Sequence, residues 1–323
     1  MEQKPKIYIT RRIPDAGLKS LNDEFEVRMN EEDRMLSKQE IIANMNGCDI
    51  LLSMLTDNID AEVINSNKNL KGISNYAAGY NNIDIAEATK RDVFVTNTPG
   101  VLTDTTADLA WALLMSVSRK IVEGDKFTRQ GKFEGWAPML MLGGDIHHKT
   151  LGIIGSGRIG SAMAKRASGF DMKILYFSRS ENKELEKNFN AKRVSKEELL
   201  KESDFVSLHV SLSSETHYFI DEKELRMMKD TAYLINTARG SVVNEKMLVK
   251  ALKQNWIAGA GLDVFENEPE LHSGLTDLHN VVIAPHVGSA SLDTRSTMAK
   301  IAANNAIALQ NNKKSQYIVN PEV

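Results

Sequence analysis

Residues 150–160 read Thr-Leu-Gly-Ile-Ile-Gly-Ser-Gly-Arg-Ile-Gly, and no other stretch restricts the fold as tightly. The short apolar run 151–154 predicts a buried strand. It opens into Gly155-x-Gly157-x-x-Gly160, and residues 161–168 then carry a helical pattern. Strand, glycine turn and helix in that order form the phosphate-cradling turn of a dinucleotide fold. The first glycine permits the tight bend, the second lets a pyrophosphate approach the backbone, and the third lets helix pack on strand. The helix N-terminus then offers N–H groups and its positive dipole end to the phosphates. No Gly-Lys-Ser/Thr is present, which argues against a mononucleotide P-loop.

At 323 residues the chain is long for one domain, so two are expected. Its 42% hydrophobic and 26% charged residues place it among ordinary soluble globular proteins, with ample material for a core. A net charge of −3 leaves no basic footprint for nucleic acid. Residues 1–6 have no apolar leader core, and the run 109–115 is too short to span a bilayer, so no membrane partner is expected. Cys48 stands alone, which excludes an internal disulfide; its apolar neighbours predict a buried strand residue, and a reducing cytoplasm fits.

Strands are expected at 6–10, 26–29, 49–53, 70–74 and 93–96, alternating with helices at 12–21, 38–45 behind the cap Ser37, 60–65 and 83–89. Alternation at this pitch predicts a small parallel α/β domain over 1–97, without a glycine fingerprint. Asn97-Thr-Pro-Gly100 breaks the pattern. A helix at 105–118 follows, apolar nearly all round and so expected to be buried between domains or subunits. Residues 131–144 read as a loop carrying Trp136: a surface arm, or a simple packed loop. His147 and His148 make a poor metal pair because adjacent strand residues face opposite ways; they read as solvated turn residues. From 150 onward strands are expected at 151–154, 173–177, 204–208, 232–236, 258–262 and 281–284. Helices are expected at 161–168, at 195–201 with a Ser195/Glu198 capping box, and at 221–228, 244–254 and 291–311.

The strand 173–177 runs into Ser178-Arg179-Ser180. NAD-preferring sites place an acid here, about 20 residues past the fingerprint, to hold the ribose 2′-hydroxyl. A serine hydroxyl beside a guanidinium suits a 2′-phosphate instead. These residues predict NADPH over NADH; a solvated loop arginine is the alternative. Three later positions lie just past strand ends: Thr237-Ala238-Arg239, the stretch from Asp263 to Glu268, and Pro285-His286-Val287-Gly288. Ligands of open parallel sheets sit beyond the carboxyl ends of the strands, so an arginine, a carboxylate and a histidine can converge beside a nicotinamide.

On these residues the chain resembles the D-isomer-specific 2-hydroxyacid dehydrogenases over nearly its full length. The motifs are Asn97-Thr-Pro-Gly-Val-Leu-Thr-Asp-x-Thr-Ala-Asp108, the glycine fingerprint, Leu234-Ile-Asn-Thr-Ala-Arg-Gly240, Gly259-Ala-Gly-Leu-Asp-Val-Phe-Glu266 and Pro285-His-Val-Gly288, in family order. It is most similar to the glyoxylate/hydroxypyruvate reductases, through Asn75-Tyr-Ala-Ala-Gly-Tyr-Asn-Asn-Ile-Asp84 and the missing acid at Ser178. The resemblance implies that Arg239 holds the substrate carboxylate, in a fork geometry lysine lacks, and polarises the adjacent carbonyl. It implies that His286 donates the proton and that Glu268 pairs with it. Backbone N–H groups around Ala78 and Gly79 form a second clamp on the carboxylate. Thr103 lies near the nicotinamide, and Asp263 contacts its carboxamide, or else is a strand-end cap. Gly157, Arg158 and Ile159 touch the pyrophosphate, and His209, Val210 and Ser211 line the adenosine side, although the family often has proline at Ser211. Thr237, Ala238 and Gly288 complete the cofactor contacts, and Leu55 is a candidate for the substrate pocket. Trp136 is another, or packs at a subunit interface.

The implied fold is α/β, with two Rossmann-like domains built on parallel sheets. The cofactor domain, 99–287, is inserted into a discontinuous substrate domain, 1–98 plus 288–323, with hinges near Pro99 and Val287. The implied reaction is reduction of a small 2-oxo acid to the D-2-hydroxy acid, NADPH preferred and NAD possible, without a metal. A homodimer through helix 105–118 and the 131–144 arm is expected. Phosphoglycerate or D-lactate dehydrogenase is an alternative, since Arg11 and Arg12 would suit a phosphorylated substrate. A dinucleotide-sensing binding protein is another; the intact Arg239–Glu268–His286 set argues against it.

Overall fold

The computed structural model describes residues 4–313 and 315–323. Residues 1–3, part of the segment read above for a leader, lie outside the described residues. The chain divides into two compact units, one formed by Met1–Leu102 with Ser289–Val323 and the other by Thr103–Gly288.

The first unit begins with β1 (Lys6–Ile9), α1 (Asp15–Glu24), β2 (Glu26–Met29), α2 (Lys38–Met45), β3 (Ile50–Ser53), α3 (Ala61–Ser66), β4 (Gly72–Asn75), α4 (Ile85–Lys90) and β5 (Phe94–Thr96). All strands pair in parallel, in the order β2-β1-β3-β4-β5. The central strands β3 and β4 are buried at every residue, as a parallel sheet covered on both faces requires. Ser37 and Glu40 close a reciprocal capping box on α2, and the Asp60 and Asp84 side chains cap α3 and α4. Helix α1 starts three residues later than expected, because Pro14 is its N-cap and proline disfavours helical backbone in the residue before it.

The second unit contains α5 (Thr103–Ser118), α6 (Ile121–Arg129), β6 (Thr150–Ile154), α7 (Arg158–Ser168), β7 (Lys173–Phe177), α8 (Lys183–Phe189), β8 (Lys192–Arg193), α9 (Lys196–Glu202), β9 (Phe205–Leu208), α10 (Glu222–Met227), β10 (Tyr233–Asn236), α11 (Glu245–Lys253), β11 (Gly259–Leu262) and β12 (Val281–Ile283). Its sheet runs β12-β11-β10-β9-β6-β7-β8, all parallel. Order reverses between β6 and β9, and such a switch point is where doubly wound sheets take their ligands. One face is covered by Trp111, Leu114, Val117 and Met163 from α5 and α7, the other by Leu199, Leu225, Leu248 and Leu252 from α9, α10 and α11. The chain then returns to the first unit with α12 (Leu292–Gln310), whose alanine face (Ala299, Ala302, Ala303, Ala306) is fully buried in that unit's core.

Several local expectations change. Helix α5 is not apolar all round: Asp104, Asp108, Ala112 and Met115 form an exposed stripe, and its other face is buried in its own unit. Arg166 of α7 bonds Asp108 from 2.6 Å. Helices α6 and α8 and the edge strand β8 went unassigned in the sequence. Helix α7 begins at Arg158 rather than 161, because the turn's last glycine lies inside it. The Ser195 box is one-sided: Ser195 accepts from the Glu198 N–H, but the Glu198 carboxylate lies 3.0 Å from Lys192. Cys48 is buried, and His147 and His148 are exposed turn residues. Among the described residues no helix is long and apolar enough to cross a membrane.

Candidate active site

The glycine turn at the end of β6 needs each of its glycines differently. Gly155 has φ +98°, and a Cβ there would lie 2.6 Å from the His209 carbonyl oxygen. A Cβ on Gly160 would lie 2.0 Å from the Gly155 oxygen, so only glycine lets α7 pack this closely on the turn. A Cβ on Gly157 would meet nothing within 4 Å: this glycine faces open space. No side chain caps α7, which leaves the first N–H groups, around Arg158 and Ile159, available to an anion. At the end of β10 the Thr237 hydroxyl is buried and has no partner. An uncapped helix start, an open glycine and an orphaned hydroxyl fit a bound dinucleotide.

Past β7 a hydrogen-bonded loop takes shape. The Ser178 hydroxyl lies 2.9 Å from that of Ser156 in the glycine turn and donates to the Ser180 carbonyl. Asn182 donates to the Ser156 carbonyl at 2.7 Å. Arg193 of β8, which the sequence did not single out, donates to the carbonyls of Ser178 and Arg179 at 2.9 and 2.8 Å. The Arg179 side chain is 95% exposed, 4.0 Å from Glu215. Beyond β9 the His209 ring lies 2.8 Å from the Ser207 hydroxyl, and burial pulls its pKa down to about 3, so it is neutral. Val210 and Ser211 follow it. Thr216 donates to the Ser211 carbonyl at 2.6 Å, which shapes the loop where the family often has proline.

The arginine, glutamate and histidine come together in this second unit. His286 Nδ1 lies 2.7 Å from Glu268 Oε2, and Glu268 Oε1 accepts the Phe265 N–H at 3.0 Å. Burial acts to raise the Glu268 pKa, but the His286 bond and charge, the Phe265 N–H and Arg239 outweigh it, and the carboxyl falls below its usual range. Arg239 follows β10 and donates to the Ala238 carbonyl at 2.7 Å; the Ala238 N–H is held by Asn236 at 3.0 Å. Burial lowers the Arg239 pKa while the Glu268 charge opposes it, so the two side chains act on each other. Gly240 makes this approach possible: a Cβ there would fall 1.8 Å from the Phe265 carbonyl carbon. Glu245 and Glu266 brace the same loop, each carboxylate accepting the other's N–H, at 3.0 and 2.7 Å.

His286 has φ +53°, a left-handed conformation uncommon for a non-glycine residue. Asp263, past β11, stabilises it. Its two oxygens accept the N–H groups of Val287 and Gly288, each at 2.8 Å. Asp263 thus caps the histidine loop. Thr103 opens α5 in this unit. Trp136 is 85% exposed.

In the first unit Leu55 follows β3, in a loop held by the buried Asp57, which accepts the Met54 N–H at 2.7 Å and the Thr10 hydroxyl. Ala78 and Gly79 lie in the turn after β4, half-buried. Among the described residues no cluster of His, Cys, Asp and Glu is arranged to hold a metal ion.

A reversed parallel sheet, a phosphate-ready glycine turn and an Arg–Glu–His group past neighbouring strand ends define a nicotinamide-dependent oxidoreductase. The chain belongs to the D-isomer-specific 2-hydroxyacid dehydrogenase family: the family model described as "D-isomer specific 2-hydroxyacid dehydrogenase, NAD binding domain" matches residues 111–288. It is 52% identical to a glyoxylate reductase of Korarchaeum cryptofilum, over 99% of this chain and 97% of that protein. It is 51% identical, with the same coverage, to a glyoxylate reductase of Pyrococcus horikoshii. Among solved structures it is similar to the NADPH-dependent glyoxylate/hydroxypyruvate reductase of Sinorhizobium meliloti in complex with NADP and malonate. That likeness has a TM-score of 0.88 and 30% identity, and covers 99% of this chain and 98% of that one.

Proposed function

We propose that this enzyme reduces glyoxylate and similar small 2-oxo acids, such as hydroxypyruvate, to the D-2-hydroxy acid, with NADPH preferred over NADH. The observation that carries the reading is the 2.7 Å contact between His286 and Glu268 beside the half-buried Arg239. The bound reduced nicotinamide would supply the hydride. Arg239 holds the substrate carboxylate through its planar fork and draws charge from the neighbouring carbonyl. Because Nδ1 of His286 is taken by Glu268, Nε2 is the atom that delivers the proton to the carbonyl oxygen. Ionised Glu268 fixes the orientation of the ring through Nδ1, and Asp263 fixes the backbone that aims it. Backbone N–H groups of Ala78 and Gly79 give the carboxylate a second hold, and Leu55 lines the substrate pocket.

Ser178 and the exposed Arg179 support NADPH, since no acid stands at the end of β7 to repel a 2′-phosphate. Phe133, Trp136, Met139 and Leu142 on the 131–144 loop and Ile121 on α6 expose large apolar side chains, which supports a homodimer through this region of the second unit.

The test replaces the proton donor. His286→Ala should lower NADPH-linked glyoxylate reduction by about 10²–10⁴-fold while leaving NADPH affinity near that of the wild type. Unchanged turnover would remove His286 from the reaction.

A further inference from the structure

The turn after β4 has an unusual hydrogen-bond pattern. Three successive carbonyls are tied into the first unit. Ala77 O accepts the Thr98 N–H at 2.8 Å, Ala78 O accepts Asn97 Nδ2 at 2.6 Å, and Gly79 O accepts Asn75 Nδ2 at 2.8 Å. In a trans peptide the C=O of one residue and the N–H of the next point in opposite directions. Anchoring the Ala77 and Ala78 carbonyls inward therefore turns the N–H groups of Ala78 and Gly79 outward. Neither of these two N–H groups has an intrachain acceptor among the described residues.

The anchors are themselves rigid. Asn75 is fully buried and Asn97 is 7% exposed. Ser53 donates to Asn75 Oδ1 at 3.2 Å. Asn97 gives its own N–H to the Tyr317 carbonyl at 3.2 Å, and its carbonyl accepts from the buried Asn305 at 3.0 Å. Ser315 in turn donates to Asn305 Oδ1 at 2.7 Å. Buried amides with this many satisfied bonds have little freedom to reorient, and removing one leaves buried partners unpaired.

We propose that Asn97 is a positioning residue. By holding the Ala78 carbonyl inside the unit it turns the Gly79 N–H outward, beside the Ala78 N–H that the Thr98 bond to Ala77 O turns the same way, as a preorganised cradle for the substrate carboxylate; Asn75, on the Gly79 carbonyl, fixes only the peptide plane that follows. This rests on the reading that Ala78 and Gly79 bind that carboxylate. Asn97 does not touch substrate; it acts by fixing the direction of a peptide plane.

The test uses the full-length protein with NADPH, glyoxylate, and oxamate as an unreactive carboxylate probe. Asn97→Ala and Asn97→Leu (close in volume, without a donor) should each raise KM for glyoxylate and the oxamate inhibition constant about tenfold. The turnover number should change much less than KM, and NADPH affinity should not change. In amide proton–nitrogen NMR spectra, oxamate should shift the Ala78 and Gly79 resonances of the wild type, and shift them less in the variants. Wild-type KM and oxamate inhibition in both Asn97 variants would overturn the proposal. If oxamate leaves both resonances unmoved in the wild type, the carboxylate reading of Ala78 and Gly79 itself fails. If both move equally in the wild type and in Asn97→Leu, that reading stands and the positioning role falls.

Discussion

Glu268 is pulled in two directions: burial favours its neutral form, while His286, the Phe265 N–H and Arg239 favour the anion and prevail. Its depressed pKa means that it stays ionised throughout the neutral range and loses its charge only in acid, below the usual carboxylate range of about 4.3. In the proposed mechanism the ionised Glu268 carboxylate holds the His286 ring by Nδ1, so the rate should fall in acid as Glu268 is protonated and that hold weakens. Glu268→Gln removes the carboxylate whose ionisation sets that acid limb, so reductive kcat/KM should drop and its fall in acid should disappear; a value and profile identical to wild type would show that Glu268 does not hold the histidine for reaction. The same sign applies to stability. A carboxyl with a lowered folded pKa contributes above its unfolded pKa, and the contribution is lost as pH drops through the folded value. Arg239, Glu268 and His286 could be picked out of the sequence because each stands in a short motif just past a strand. Their supports could not. The sequence points Asp263 to the cofactor carboxamide, with a strand-end cap as the alternative, and nothing local announces its hold on the Val287 and Gly288 N–H groups. Asn97 and Asn305 are bonded across 208 positions, and no local pattern announces such a pair.

At the scale of elements, the glycines of the turn joining β6 to α7 were legible, Gly155 by its φ and Gly160 by its close contact, although the helix begins three residues before the expected 161. The loop after β7 was half legible. Ser178 and Arg179 stand at the expected distance, but the Arg193 brace comes from β8, a two-residue edge strand too short to carry a sequence period. Arg179→Ala should weaken NADPH binding by about tenfold or more, as loss of a charge-assisted phosphate contact does, and leave NADH nearly unaffected. Equal losses for both cofactors would mean that Arg179 does not read the 2′-phosphate. Charge density hid α8, with four charged residues among its seven. In α5 the composition points the other way. Alanines, leucines and a tryptophan suggested burial all round, yet an exposed stripe remains where Asp104 and Asp108 meet Arg166.

For the molecule as a whole, strand–helix alternation was enough to foresee two parallel sheets, because right-handed crossovers leave few other arrangements. The expected crossings near 99 and 287 lie within four residues of the observed limits of the two units. The apolar side chains exposed on α6 and the 131–144 loop make the assembly state the natural whole-molecule test. At micromolar concentration, sedimentation should give twice the 36.0 kDa chain mass, and Trp136→Arg combined with Met139→Glu should shift the protein towards the single chain. A wild-type monomer would sink the dimer. One contact in the second unit reaches further. A Cβ on Gly288, the unit's last residue, would lie 3.3 Å from Thr106, in the opening turn of its first helix. The segment thus starts and stops at nearly the same point in space. Such a cassette can be spliced into a host loop, or lifted out of one, with almost no linker to bridge the gap, and closely spaced ends are also what circular permutation requires.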